Sequence, residues 1–154
     1  MSSENVSPDV KEAHEKMAEI HEFLEGTSQW CLNNAAEAIN KLQEDWEDMC
    51  IRLKEKSIEP SRFLRQSENI FQDCVTFREL IVEQAQDFSE RVQNRLSQIE
   101  RVAENNDNTA SLMDQIIKRW NEVEHPQLMF LYEQLTELES IIQDIRALQK
   151  AKNE

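Results

Sequence analysis

Glycine occurs once in 154 residues and proline three times, so the chain has almost none of the residues that tight turns and bulges require. That leaves little material for a sheet, and a glycine-rich phosphate loop is excluded outright. Cysteine is also scarce. Cys31, Cys50 and Cys74 are odd in number and show no Cys-x-x-Cys spacing, which disfavours a disulfide framework, a zinc site and thiol redox chemistry. All three sit on or beside apolar stripes, where a thiol behaves as a small hydrophobe, so reduced core cysteines are expected. No apolar run approaches the ~20 residues of a membrane span. The opening MSSENVSPDV lacks the apolar core of a signal peptide, so the expectation is a cytoplasmic chain.

Positive charge is short as well. Asp and Glu total 31 against 17 Lys and Arg, for a net charge of -14. The excess is spread along the chain, with 13 acidic and 6 basic residues up to Ser57, 9 and 6 from Ile58 to Glu104, and 9 and 5 thereafter. No segment is basic. Phosphate binding rests on Lys and Arg displacing counterions, so nucleic acid is disfavoured as a direct partner. An anionic membrane surface is disfavoured for the same reason.

What the chain does have is helix formers and period. Between residues 112 and 148, Met113, Ile116, Trp120, Val123, Phe130, Leu138, Ile141, Ile145 and Leu148 recur at three-four spacing over about ten turns. Two earlier stretches carry similar stripes. Val10, Ala13, Met17, Ile20, Leu24, Cys31, Ala35, Ala38, Leu42, Met49 and Leu53 mark the first; Phe63, Ser67, Ile70, Cys74, Phe77, Ile81, Phe88, Val92, Leu96, Ile99 and Val102 mark the second. Three such stripes dry one another in an all-α fold, an elongated antiparallel three-helix bundle with helices at about 8–57, 61–104 and 109–150. Residues 1–7 and 151–154 are expected to fray.

The interruptions are local. Ser7-Pro8-Asp9 is a helix start, with a capping hydroxyl, proline at the first helical position and an acid in the first turn. Pro60 ends the first helix and opens the second; the Asn- and Asp-rich run 104–108 is the second turn. Gly26 is where the first helix breaks if it breaks at all, but the stripe crosses it in phase, which favours one helix loosened there. Pro126 removes a backbone donor inside the third helix and should kink it.

Counting levels from the turns sets Trp30 near Trp120 and Val123 with Phe88 at the same height, and Trp46 against Phe71 and Leu138. Between them Asn33 or Asn34, Gln84 and Gln127 form an expected polar layer near Pro126, of the kind that fixes register at some cost in stability.

Candidate chemistry is thin. His14 and His21 lie two turns apart on one face among glutamates, without the converging ligands or Glu-x-x-His pairs a metal needs. No nucleophile stands with a base. The sequence therefore points to no catalytic residues, no cofactor and no metal, and an enzyme is not expected.

The informative anomaly is apolar excess in Leu128-Met129-Phe130-Leu131-Tyr132, with Leu80-Ile81-Val82 at the same height. A bundle helix hides two or three of five consecutive residues. With Phe130 and Leu131 inward, Val82, Leu128, Met129 and Tyr132 form part of a surface for a protein partner or for self-association. The competing reading is that an N-terminal helix folds back from Gly26 and covers them.

Phe23-Leu24 followed by Trp30, together with Ile117-Lys118-Arg119-Trp120-Asn121-Glu122-Val123, resembles the first- and third-helix patterns of the spectrin-repeat family. The family's paired tryptophans would be Trp30 and Trp120. The resemblance implies a non-catalytic scaffold, spacer or docking module tied to the cytoskeleton or to membrane trafficking. The alternatives are a syntaxin-like regulatory bundle that binds a partner helix and a lipid-carrying bundle that opens around its ligand.

Overall fold

The computed structural model describes residues 8–153; the expected N-terminal fray and the Ser7 cap lie outside the described residues, as does Glu154. The chain is all-α, with three long helices and no strand among the described residues. The first comprises α1 (Pro8–Trp30), a π-helical segment (Cys31–Ala35) and α2 (Ala36–Lys54). The second is one uninterrupted helix, α3 (Pro60–Glu104). The third comprises α4 (Asp107–Arg119), a second π-helical segment (Trp120–Glu124) and α5 (His125–Asn153). Helix therefore continues beyond Lys150, where fraying was expected.

The ends follow from residue chemistry. Pro60 opens α3, where its missing N–H would have had no helical partner. Asn106, in extended conformation, accepts a hydrogen bond from the Thr109 amide at 3.0 Å and caps α4. After α2, Lys56 takes a left-handed φ of 59°, and the Ser57 amide donates to the Arg52 carbonyl at 2.9 Å. Glycine is the usual occupant of such a position. The only glycine sits elsewhere. Gly26 lies inside α1, exposed and without a turn, so no separate N-terminal helix folds back from it.

Both π segments correct the expected phase. Buried positions fall at Thr27, Cys31, Ala35 and Ile39, and again at Ile116, Trp120, Glu124 and Leu128, each a run of three steps of four. Four residues turn an α-helix 40° past a full circle, so a regular helix would carry such a run off its core face. One extra residue in the wider π turn absorbs the drift. In the second segment the His125 amide donates to the Trp120 carbonyl, five residues back. This widened turn lies just ahead of Pro126, where the ring would otherwise meet the carbonyl four residues earlier.

The chain divides into two compact units, each with its own core. One holds the described residues up to Trp30 together with Gln84–Leu128. In it α1 and α4 run parallel, since His14 meets Thr109 at 3.4 Å and Glu25 meets Arg119 at 3.4 Å, while Arg95 meeting Glu19 at 2.8 Å and Arg91 lying over Phe23 show α3 antiparallel to α1. Ile20, Leu24, Ile99, Ile116 and Leu128 are sealed from solvent, each contributing about 1.5–3 kcal/mol. Arg91 and Arg95 lie over the Phe23 ring, at 5.0 and 5.7 Å from its centroid.

The other unit holds Cys31–Glu83 and the residues from Met129 onward. Ile39, Phe63, Cys74, Ile81, Leu135 and Ile142 form its core. Trp46 is buried against Phe63, with ring centroids 5.9 Å apart, where Phe71 had been expected. All three cysteines are reduced; Cys31 and Cys74 are buried and Cys50 is half-buried. Burial, followed by the charges of Glu139 and Asp73, pushes the Cys74 thiol up to about 11. Cys50 is also raised, by burial and then by Glu47.

Two outcomes follow. A methyl group at Gly26 meets nothing within 4 Å, whereas Lys56 occupies glycine's backbone region. Moving the glycine, as Gly26→Ala with Lys56→Gly, should raise unfolding stability by about 0.5–1 kcal/mol per site, additively, in urea titrations; a loss at either site contradicts the assigned backbone. At pH 8 a maleimide should modify Cys50 first, and Cys31 and Cys74 only at the rate of unfolding, because the thiolate is the reactive form. Early labelling of Cys74 would refute its placement.

Candidate functional site

The residues expected to form a partner surface separate. Val82 and Met129 are 39% and 37% exposed, Tyr132 is half-buried, and Leu128 is completely buried. Phe130, expected inward, is 60% exposed. The cause is the π turn at Trp120–Glu124: its extra residue rotates all that follows by about 100°, which brings Leu128 inward and sends Phe130 out. The same shift leaves Ile141 exposed, and Val123, inside the widened turn itself, is exposed too. Leu128 thus leaves the surface set and Phe130 enters it.

Tyr132 is partly covered. The Arg78 guanidinium lies 5.8 Å from its ring centroid and donates through Nε to Glu139 at 2.8 Å. The Glu139 hydrogen bond, outweighing burial, raises Arg78 further. One helical turn pair further along α5, Arg146 donates to the Ser67 hydroxyl at 2.9 Å and the Leu64 carbonyl at 3.1 Å, and meets Glu68 at 2.7 Å. These pairs tie α3 to α5 beneath the exposed face.

On α5 itself, Phe130, Ile141 and Leu148 are 60%, 43% and 61% exposed. At 100° per residue the three fall within about 20° of one another, an apolar line outside the core. Their neighbours Glu133, Glu137 and Asp144 are exposed too. This is the feature the sequence stripe had absorbed into the core.

The polar cluster near Pro126 keeps Gln127 of the expected layer and otherwise uses different residues. Asn33 and Asn34 are exposed, and Gln84 is half-buried. The centre is Glu124, fully buried in the unit formed by α1, part of α3 and α4. Its Oε1 accepts from Arg119 Nε at 2.8 Å and from the Ser28 hydroxyl at 3.1 Å; Ser28 also reaches Gln127 Oε1 at 3.4 Å. Glu124 Oε2 is buried without a hydrogen-bond partner. Burial lowers the Arg119 guanidinium, but the hydrogen bonds and charges of Glu124 and Glu25 outweigh it and hold it firmly protonated. The clue in the sequence was spacing: Glu124 stands four residues from both Trp120 and Leu128.

The remaining candidates stay apart. His14 meets the buried Thr109 hydroxyl, whereas His21 is exposed. Among the described residues no group of three or more His, Cys, Asp or Glu is placed to hold a metal ion, and no helix is long and apolar enough to cross a membrane. Comparison with known proteins found no matching family model, no matching curated protein and no matching solved structure.

The buried pair makes a sharp prediction. Arg119→Met keeps the stem and removes the cation, leaving a desolvated carboxylate; about 2–3 kcal/mol should be lost, less than the ~3–5 kcal/mol of a fully buried pair because Arg119 is 30% exposed. Adding Glu124→Leu should recover most of it, read by urea unfolding. A single substitution without effect would place Glu124 in water.

Proposed function

We propose that this chain is a non-catalytic protein–protein interaction or scaffold module, spectrin-repeat-like in kind, acting in the cytoplasm at the cytoskeleton or in membrane trafficking. The observation that supports the reading is the line of Phe130, Ile141 and Leu148 along α5. Single exposed apolar residues are ordinary, but three large ones on one helical line have no local reason to be there. The Arg78–Glu139 and Arg146–Ser67 contacts hold that helix in place, so the side chains are presented on a fixed support. The partner is a different protein, because a second copy would bring another net charge of -14 against the first.

A lipid-carrying bundle that opens is the second reading, favoured by the Glu124 oxygen that lacks a partner beside a π turn. Lipid-dependent change in helicity would select it, and a docking module shows none.

The test of the first reading is light scattering over a concentration series, for the wild type and for Phe130→Glu/Leu148→Glu. Both should be monomers, with melting temperatures within about 2 °C, since exposed substitutions stay within about 0.5 kcal/mol. A wild-type dimer that the substitutions dissolve would assign the face to self-association instead. Unfolding of the variant would show that the residues belong to a core.

A further inference from the structure

Resting on the reading of α5 as a docking face, we propose that its outer line binds a basic amphipathic helix. Phe130 to Leu148 spans 18 residues, about 27 Å of helix at 1.5 Å each, with Ile141 between them on nearly the same line. Three apolar side chains aligned over five turns, with Gln134 and Glu137 between the first two, fit an extended rod better than a loop or a globular knob.

Charge then selects the kind of rod. Glu133, Glu137 and Asp144 stand 20–60° to one side of the line, all exposed. None of the three is ion-paired at 4 Å or less among the described residues, so their charge faces outward. The nearest charges of the same helix do not cancel them. Glu139 and Arg146 turn inward and are engaged by Arg78 and by Ser67, Leu64 and Glu68. Lys150 and Lys152 are exposed, but both lie beyond Leu148 in the last turn. Along the line itself the edge is purely acidic.

An occupant that covers Phe130, Ile141 and Leu148 must bring its own polar edge close to that row. Acidic side chains there would meet like charges; Lys and Arg would gain attraction. The same argument excludes a second copy, whose corresponding edge carries the same three acids, and an anionic lipid surface. A helix with apolar residues at three-four spacing and Lys or Arg flanking them meets both demands.

The test uses the full chain and three labelled 20-residue peptides, read by fluorescence anisotropy at 50 and 300 mM NaCl. The first is an amphipathic helix of Leu and Lys, the second has Glu in place of each Lys, and the third is a scramble of the first with no apolar face. The basic amphipathic peptide should bind at least tenfold more tightly than either control, and more weakly at the higher salt. Phe130→Glu/Leu148→Glu should reduce its affinity at least tenfold. Glu133→Lys/Glu137→Lys/Asp144→Lys should reverse the preference, so that the acidic peptide binds better. Equal binding of the scramble overturns the proposal by reducing the effect to net charge. Preference of the wild type for the acidic peptide overturns the partner's chemistry while leaving the docking face in place. Failure of both amphipathic peptides removes the docking reading with it. Binding to phosphatidylserine vesicles in preference to the basic peptide likewise overturns the assignment.

Discussion

Every long helix here must keep its apolar side chains on the core through more turns than a fixed step of four allows. A step of four over-rotates by 40° and a step of three under-rotates by 60°, so a straight helix must alternate them. The buried runs Thr27–Cys31–Ala35–Ile39 and Ile116–Trp120–Glu124–Leu128 do not alternate, and in each the backbone opens into a π turn. α3 contains no such segment and runs as helix from Pro60 to Glu104. Which residues of the third helix are core and which are surface is decided at its widened turn. Leu128 and Phe130 exchange roles because of one residue.

The π turn after α4 also explains how the chain accommodates two costly groups close together. Pro126 has no amide to donate, and Glu124 carries a charge into a site with no exposure. The turn loosens the backbone just before the proline ring and aims Glu124 at Arg119 and Ser28. The carboxylate is half satisfied, with one oxygen holding two donors and the other none. A leucine at that position would be easier to bury. What the ion pair adds is register: it fixes α4 against its own following turn, and Ser28 fixes α1 against both, within one core.

The fold class was legible from composition and period, because one glycine, three prolines and three apolar stripes leave few alternatives to long packed helices. The turn at Pro60 and the polar run before Thr109 were legible from turn chemistry. The side-by-side course of α1 and α4 was legible by counting, but the Glu25–Arg119 and Ser28–Glu124 contacts set Trp30 closer to the level of Val123 than to that of Trp120. The widened turns were not legible. A rule that accepts apolar residues at three or four will pass from Trp120 through Val123 to Phe130 and never notice Glu124, since a charged residue is not sought in a core. The candidate surface inherited that error, keeping Leu128 and losing Phe130. The spacing of Ile116, Trp120 and Leu128 held the correction, but only if Pro126 is read as a reason for the helix to widen.

The corrected phase changes the problem the molecule poses. With Leu128, Leu131, Leu135, Leu138 and Ile142 inside, the core side of α5 is complete without Phe130, Ile141 or Leu148. Those three stand outside the packing, so their presence on one line is not explained by folding. A water-facing helix is more soluble with Lys, Gln or Glu in such places, as the exposed Glu137 between Phe130 and Ile141 illustrates. If the proposed docking face is right, the acidic row beside the line offsets that liability, since like charges repel a second copy while an oppositely charged chain is attracted. On the proposed reading, solubility and selectivity are the same arrangement of charge, and the helix that closes the core on one side carries an exposed apolar line on the other.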